Sequence, residues 1–309
     1  MTEAIDSIKK LITNHNNTIF FDGEAFSGYQ KTYFTTNENI KAYLDLVNLD
    51  DYNNALTVLA SGDQLFNLIN KGILEVDTFD INKFTEYYVF GLRMAMIDKY
   101  NYKDYLKVFN KLLDEKTSFE ELNDILYGLL PFMDMKYREF WKEILDYNYI
   151  LQKDAKERLN ITRMLFFGFL DNNHFNNYLL NDEEYNKLKS NLNRAKISFS
   201  ATNAVDLYKK NNKKYDLVLL SNILDYIYSH LGVNWDINKF VGRLTKICSE
   251  NYIIFLHYLF DYYSNNYTKQ HNLIYGAKNL DKLLEKYPVE KIPFSKDKKI
   301  GEGIILIKK

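Results

Sequence analysis

Residues 55–82 read ALTVLASGDQLFNLINKGILEVDTFDIN, and this stretch decides the fold. Ala55 to Ala60 is a short apolar run with Thr57 and Val58 inside it, the composition of a strand buried on both faces of a parallel sheet. The run breaks at Ser61-Gly62. Gly62 can take backbone angles closed to other residues and lets a ligand approach the main chain, while Asp63 and Gln64 open the following helix. Leu65, Leu68 and Ile69 give that helix an apolar stripe. Gly72 stops it, and Val76, Thr78 and Phe79 carry a second strand to Asp80.

Strand, glycine turn, helix and acid-terminated strand form the first half of a Rossmann unit. There the acid accepts hydrogen bonds from both hydroxyls of a ribose, at a spacing of about 20 residues from the glycine. The loop departs from the dinucleotide fingerprint, because only Gly62 is present and a carboxylate follows it. Asp63 should repel a diphosphate and suit a cationic ligand, or serve simply as a helix cap, or both. S-adenosylmethionine fits such a site: it carries a ribose, an ammonium and a sulfonium, and no phosphate.

Composition narrows the class. A chain of 309 residues with 46% hydrophobic and 16% aromatic content buries a sizeable core. Its net charge of -1 gives no global reason to expect nucleic acid or an anionic membrane. Cys248 is the single cysteine, which points to a reducing compartment and a cytoplasmic protein and away from a cysteine metal cluster. The opening MTEAIDSIKKLITNHNN lacks the apolar core of a signal peptide, and no apolar run reaches the ~20 residues of a membrane span. No metal site is expected; His174 has no ligand partner at useful spacing, and His257 falls on a strand.

Outward from the deciding stretch, residues 1–54 read as an N-terminal helical arm. Thr36 or Asn37 is placed to cap a helix carrying Ile40, Tyr43, Leu44 and Val47. Tyr29, Tyr33, Thr35 and Glu38 either close over a ligand or pack as an arm. Residues 83–195 turn helical in FTEYYVFGLRMAMI, YKDYLKVFNKLL, FEELNDILYGLL, YREFWKEIL and AKERLNITRMLFFGF, too long for one crossover and so read as a helical insertion. Strands return at Lys196 to Ala201 and Tyr215 to Leu220, then at NYIIFLHYL and GEGIILIKK, with a helix from Ile237 to Ile247. Residues 55–82 and 196–309 together make the expected α/β domain of about seven strands, with its last two named strands as neighbours.

The succession LTVLASGDQ, EVDTFDIN, SFSATNAVDL and YDLVLLSNILDYI resembles class I S-adenosylmethionine-dependent transferases from about residue 55 to the end. More narrowly, SGDQ followed by FDIN and a helical insertion resembles the diacylglycerol aminocarboxypropyltransferase family of betaine-lipid synthesis. The chain departs from that family in its compactness and in lacking an evident membrane-binding face. The resemblance implies a Rossmann-like class I methyltransferase sheet. By it, Ser61, Gly62, Asp63 and Gln64 surround the amino-acid end of the cofactor, Asp80 holds its ribose, and Ile81 and Asn82 flank the adenine. It also gives Asn203, or alternatively Asp206, to the adenine amine, and Ser221 and Asn222 to the sulfonium end. Asp225 orients an acceptor or takes its proton, or is an acid at a helix start answering the dipole; Asp225 and Tyr29 are the candidate catalytic residues.

The function expected is an S-adenosylmethionine-dependent transferase that moves the 3-amino-3-carboxypropyl arm to an unknown, small-molecule acceptor. Methyl transfer, a non-catalytic nucleotide-binding module and an RNA-modifying enzyme are the alternatives.

Overall fold

The structure is a computed structural model; it describes residues 1–13, 28–153, 160–167, 172–210, 213–224, 227, 236–260, 285–295 and 301–309. It is mixed α/β with a seven-stranded, mostly parallel sheet. We number its strands β1 (Asn54–Val58), β2 (Glu75–Asp80), β3 (Lys196–Ala201), β4 (Tyr215–Leu219), β5 (Cys248–Leu259), β6 (Val289–Pro293) and β7 (Gly303–Lys308). The order across the sheet is β3-β2-β1-β4-β5-β7-β6.

β1 lies between β2 and β4 and runs parallel to both, with Thr57 opposite Thr78 on one side and Leu219 on the other. Its residues Ala55 to Val58 are all buried, which is why the strand reads as a continuous apolar run and not as an alternation. β4 and β5 are also parallel, and β7 runs antiparallel to both β5 and β6. NYIIFLHYL and GEGIILIKK are thus neighbours, as the sequence suggests. β6 was not anticipated: Glu290 and Lys291 break its apolar pattern, and its place at the sheet edge, ending in Pro293, needs no such pattern.

Contacts divide the chain into two compact units. One comprises residues 38–58, 71–79 and 194–309 and carries the sheet; the other comprises 1–37, 59–70 and 80–193. The second unit is built around the helix Asp63–Asn70, all eight residues of which are buried. Leu65, Phe66, Leu68 and Ile69 supply its apolar surface, while Asp63, Asn67 and Asn70, spaced i, i+4 and i+7, share one face. Each of the three finds partners there. Asp63 meets Arg93, Asn67 exchanges hydrogen bonds with Asn176 and the Asn177 backbone, and the Asn70 amide reaches the Glu184 carbonyl. Gly72, at φ +100°, follows the helix in the left-handed conformation expected of a stop.

The helical stretch after β2 contains an unexpected π-helical segment, Tyr87–Arg93. Its wider turn leaves backbone groups displaced from the usual ladder, and the Trp141 indole donates to the Tyr87 carbonyl at 2.9 Å. Gly91 makes room for that indole, since a Cβ at this position would lie 2.7 Å from Trp141 Nε1. In the sheet-bearing unit, the helix Ile40–Leu44 is capped by Asn39, whose side chain accepts from Ala42 N, and not by Thr36 or Asn37. Thr36 N donates instead to Asp63 Oδ2.

Candidate functional site

The turn that follows β1 is strained. Ala60 sits at φ +42° and Gly62 at φ +87°, so two residues within three occupy the left-handed region. For the alanine this costs on the order of 1 kcal/mol or more, a cost the surroundings must offset. They do so through hydrogen bonds: Gly62 N donates to the Leu59 carbonyl at 2.6 Å, and Ala60 N donates to Asp80 Oδ2 at 2.9 Å. The open side of Gly62 is not ligand space, contrary to expectation. A Cβ there would stand 2.7 Å from Val89 Cγ1 and 3.1 Å from the Phe66 ring, so glycine is required by packing as well as by φ.

Asp63 is fully buried and committed to internal partners. Oδ1 accepts from Arg93 Nη2 at 2.9 Å and from the Tyr178 hydroxyl at 2.5 Å. Oδ2 accepts from Thr36 N at 2.7 Å, Ser61 Oγ at 2.7 Å and Thr35 Oγ1 at 3.3 Å. Those five donors saturate the carboxylate, so its charge answers Arg93 and not an approaching cation. Arg93 in turn uses Nη1 for the carbonyls of Phe34, at 2.9 Å, and Ser61, at 3.0 Å. Its guanidinium lies 5.2 Å from the Phe109 ring and 5.3 Å from that of Phe66. Burial opposes the Arg93 charge, but Tyr105, Tyr178 and Asp63 around it hold the group above its ordinary value. Both members of the pair are 0% exposed in their side chains.

Asp80 ends β2 beside this turn. Besides Ala60 N it accepts from Asn82 N at 2.8 Å. Burial is the dominant influence on its carboxyl and raises its pKa to about 6, with the backbone donors of Asn82, Ala60 and Ile81 working in the opposite direction. Asn82 is used as a staple. Its Oδ1 accepts from Gln30 N and Phe84 N, and its Nδ2 donates to the carbonyls of Gln30 and Lys31. Lys83 N adds a bond to the Gly28 carbonyl at 2.6 Å. Residues 28–31 of the arm are thereby pinned at the end of β2. Tyr29 packs 6.4 Å from Tyr87, and burial together with Tyr87, Glu3 and Glu86 pushes its hydroxyl up to about 12.

Ser61, Gly62, Asp63, Gln64, Asp80, Ile81, Asn82 and Tyr29 therefore belong to one unit; Asn203, Ser221 and Asn222 belong to the other. Gln64 is buried, and Ile81 is half-buried beside Asp80. In the sheet-bearing unit, Asn203 caps a short turn by accepting from Val205 N at 3.1 Å, and Asp206 pairs with Lys209. Ser221, directly beyond β4, has φ +58°; its carbonyl accepts from Tyr258 N and its hydroxyl donates to the buried Glu38 carboxylate. Asn222 is the next residue and half-buried. Asp225 lies outside the described residues.

No family model and no curated protein matches the chain. The chemistry is therefore constrained by the geometry itself. Sequence reasoning missed Arg93, Tyr178 and the Glu38–Ser221 bond. An arginine inside FTEYYVFGLRMAMI is a visible signal of a buried ion pair, but its partner 30 positions earlier is not marked by any local pattern.

Proposed function

We propose that the chain is an S-adenosylmethionine-dependent transferase whose transferred group is the 3-amino-3-carboxypropyl arm. The observation that carries this reading is Asp80, a buried carboxylate at the carboxyl end of β2, tied to a strained glycine turn at the carboxyl end of β1. Strand order β3-β2-β1-β4-β5 reverses direction at β1, and ligands of open α/β sheets bind beyond the carboxyl ends at such a reversal. The order and the antiparallel β7 support the class I transferase resemblance, as does the helical stretch 83–195 read as an insertion. That non-glycine strain is found at Ala60 and at Ser221, following β1 and β4, agrees with sites where backbone strain is retained for function.

The donor chemistry fits the ribose. Asp80 accepts, and two ribose hydroxyls donate. Burial that raises its pKa to about 6 leaves it ionised at neutral pH and poorly solvated, so hydroxyl donors are favoured there. The fit to the amino-acid end is different from the one expected. Asp63 acts by holding Ser61 and Arg93 in place, Asn82 staples the arm, and Ile81 would flank the adenine by the resemblance alone. The roles of Gln64, Asn203, Ser221 and Asn222 rest on the resemblance alone. Tyr29 keeps its proton at neutral pH, which suits it to donate a hydrogen bond and not to act as a base. Bound here, the cofactor supplies sulfonium-activated carbons; the chain's part is to orient one of them toward a small-molecule nucleophile and exclude water.

Mass spectrometry of the nucleoside released from S-adenosylmethionine by purified protein with a small-molecule extract tests this, with Asp80→Ala as control. Methylthioadenosine from the wild type alone is the expected product. S-adenosylhomocysteine would replace the reading by methyl transfer, and the absence of both products together with absence of cofactor binding would overturn it.

A further inference from the structure

Four segments distant in sequence meet at one buried ion pair. Arg93 donates to the Phe34 and Ser61 carbonyls, and its partner Asp63 receives Thr36 N, Ser61 Oγ and the Tyr178 hydroxyl. Tyr88, one π-turn before Arg93, sends its own hydroxyl to the same Phe34 carbonyl. The arm at residues 34–36, the turn at 61–63, the π-helical segment and Tyr178 are thus joined through a single guanidinium–carboxylate contact. We propose that Arg93 is the positioning residue of the cofactor turn, coupling the arm to the turn so that both adopt their binding geometry together.

The physical reasons are specific to arginine. Its planar fork satisfies two carbonyls through one nitrogen and a carboxylate through the other, which lysine's point charge cannot reproduce. The site is closed: Arg93 is wholly buried among Phe66, Phe109 and Tyr88, so a lysine's single ammonium cannot serve the Ser61 carbonyl and the buried Asp63 carboxylate together, and one of them loses its donor. Where that is Asp63, the carboxylate has reason to swing away, and with it go the bonds to Thr36 N and Ser61 Oγ. Ser61 lies between the two left-handed residues Ala60 and Gly62, so its release lets the strained turn relax. Arg93 need not touch the ligand for any of this.

Two readouts on the full chain test the coupling, and the first does not depend on the proposed function. Hydrogen exchange should show residues 34–36 and 59–63 protected in the wild type and losing protection together in Arg93→Lys; unchanged protection, or loss in one segment alone, overturns the coupling. The second rests on the transferase reading. Titration with S-adenosylhomocysteine, at a temperature where circular dichroism shows every variant folded, should give at least tenfold weaker binding by Arg93→Lys. Leu126→Ala, a buried substitution in the same unit, should lower the melting temperature and leave affinity unchanged. Wild-type affinity in Arg93→Lys overturns the positioning role. A wild type that binds neither S-adenosylhomocysteine nor S-adenosylmethionine removes the transferase reading, and with it the cofactor part of the inference, while the exchange result still decides the coupling.

Discussion

At the scale of single residues, Asp80 carries the heaviest weight in the proposed function, and burial makes it sensitive to pH. Its folded pKa of about 6 lies above the ordinary 3.8, so the folded chain binds a proton more tightly than the unfolded one between those values. Stability from this group is accordingly present at low pH and is lost as pH rises through about 6. A ligand that donates hydroxyls to the carboxylate reverses the preference, because only the ionised form accepts from both. Affinity for S-adenosylhomocysteine should therefore be flat above pH 7 and fall by up to tenfold per pH unit below about 6, with proton release on binding at pH 5.5; a flat calorimetric profile from pH 5 to 8 would separate Asp80 from the ligand. Asp80→Ala should weaken binding at pH 7.5 by about 1.5 to 3 kcal/mol, the range for hydrogen bonds to a charged group. Gly62 makes a different kind of demand. Gly62→Ala forces a Cβ at φ +87° against Val89, so the expected outcome is a loss of about 2 kcal/mol or more in urea denaturation, before any effect on ligand.

Among the elements, what the sequence discloses depends on how local the cause is. β1 and β4 are legible because burial on both faces writes a run of apolar residues, β2 because Val76, Thr78 and Phe79 alternate with polar positions up to Asp80, and β7 because a glycine turn precedes an apolar run. β6 was not, since an edge strand tolerates Glu290 and Lys291. The glycine turn was legible as a turn, but the destinations of its side chains were not: Asp63 is satisfied by Arg93 and Tyr178, 30 and 115 positions away, and Asn82 by the backbone of residues 30 and 31. Spacing carries no record of such pairings. The π-helical segment was equally hidden, because an extra residue per turn changes neither composition nor apolar content. Its stability is nonetheless open to a direct test. Gly91→Ala would set a Cβ 2.7 Å from Trp141 Nε1 and 2.9 Å from Cδ1, displacing the indole from the Tyr87 carbonyl. We expect a loss of about 1 to 3 kcal/mol in urea denaturation, accompanied by a change in tryptophan fluorescence. An increase in stability, as alanine gives in an ordinary exposed helix, would mean that the indole does not depend on the gap.

For the whole molecule, acid response gathers contributions from both compact units. His257 sits on β5, buried, with its Nδ1 lacking a partner among the described residues, and burial lowers its pKa from 6.5 to about 3. The folded chain thus keeps this ring neutral where the unfolded chain protonates it. Stability is fully present above pH 6.5 and drains away as pH falls toward 3. Asp80 works in the opposite direction over part of the same range, gaining as pH falls from about 6 to 3.8. The two offset in part near pH 5, which masks each in a simple pH–stability curve. Removing the imidazole exposes the balance. His257→Leu should abolish a loss of about 2 kcal/mol between pH 7 and pH 5, leaving a variant whose unfolding free energy, relative to wild type, rises by that amount on acidification. Urea denaturation of both proteins at the two pH values isolates the difference, since the remaining carboxylates and histidines titrate alike in each. Parallel curves would mean that the His257 ring gains its proton in the folded state, and that β5 accommodates a charge where the structure offers the ring only burial.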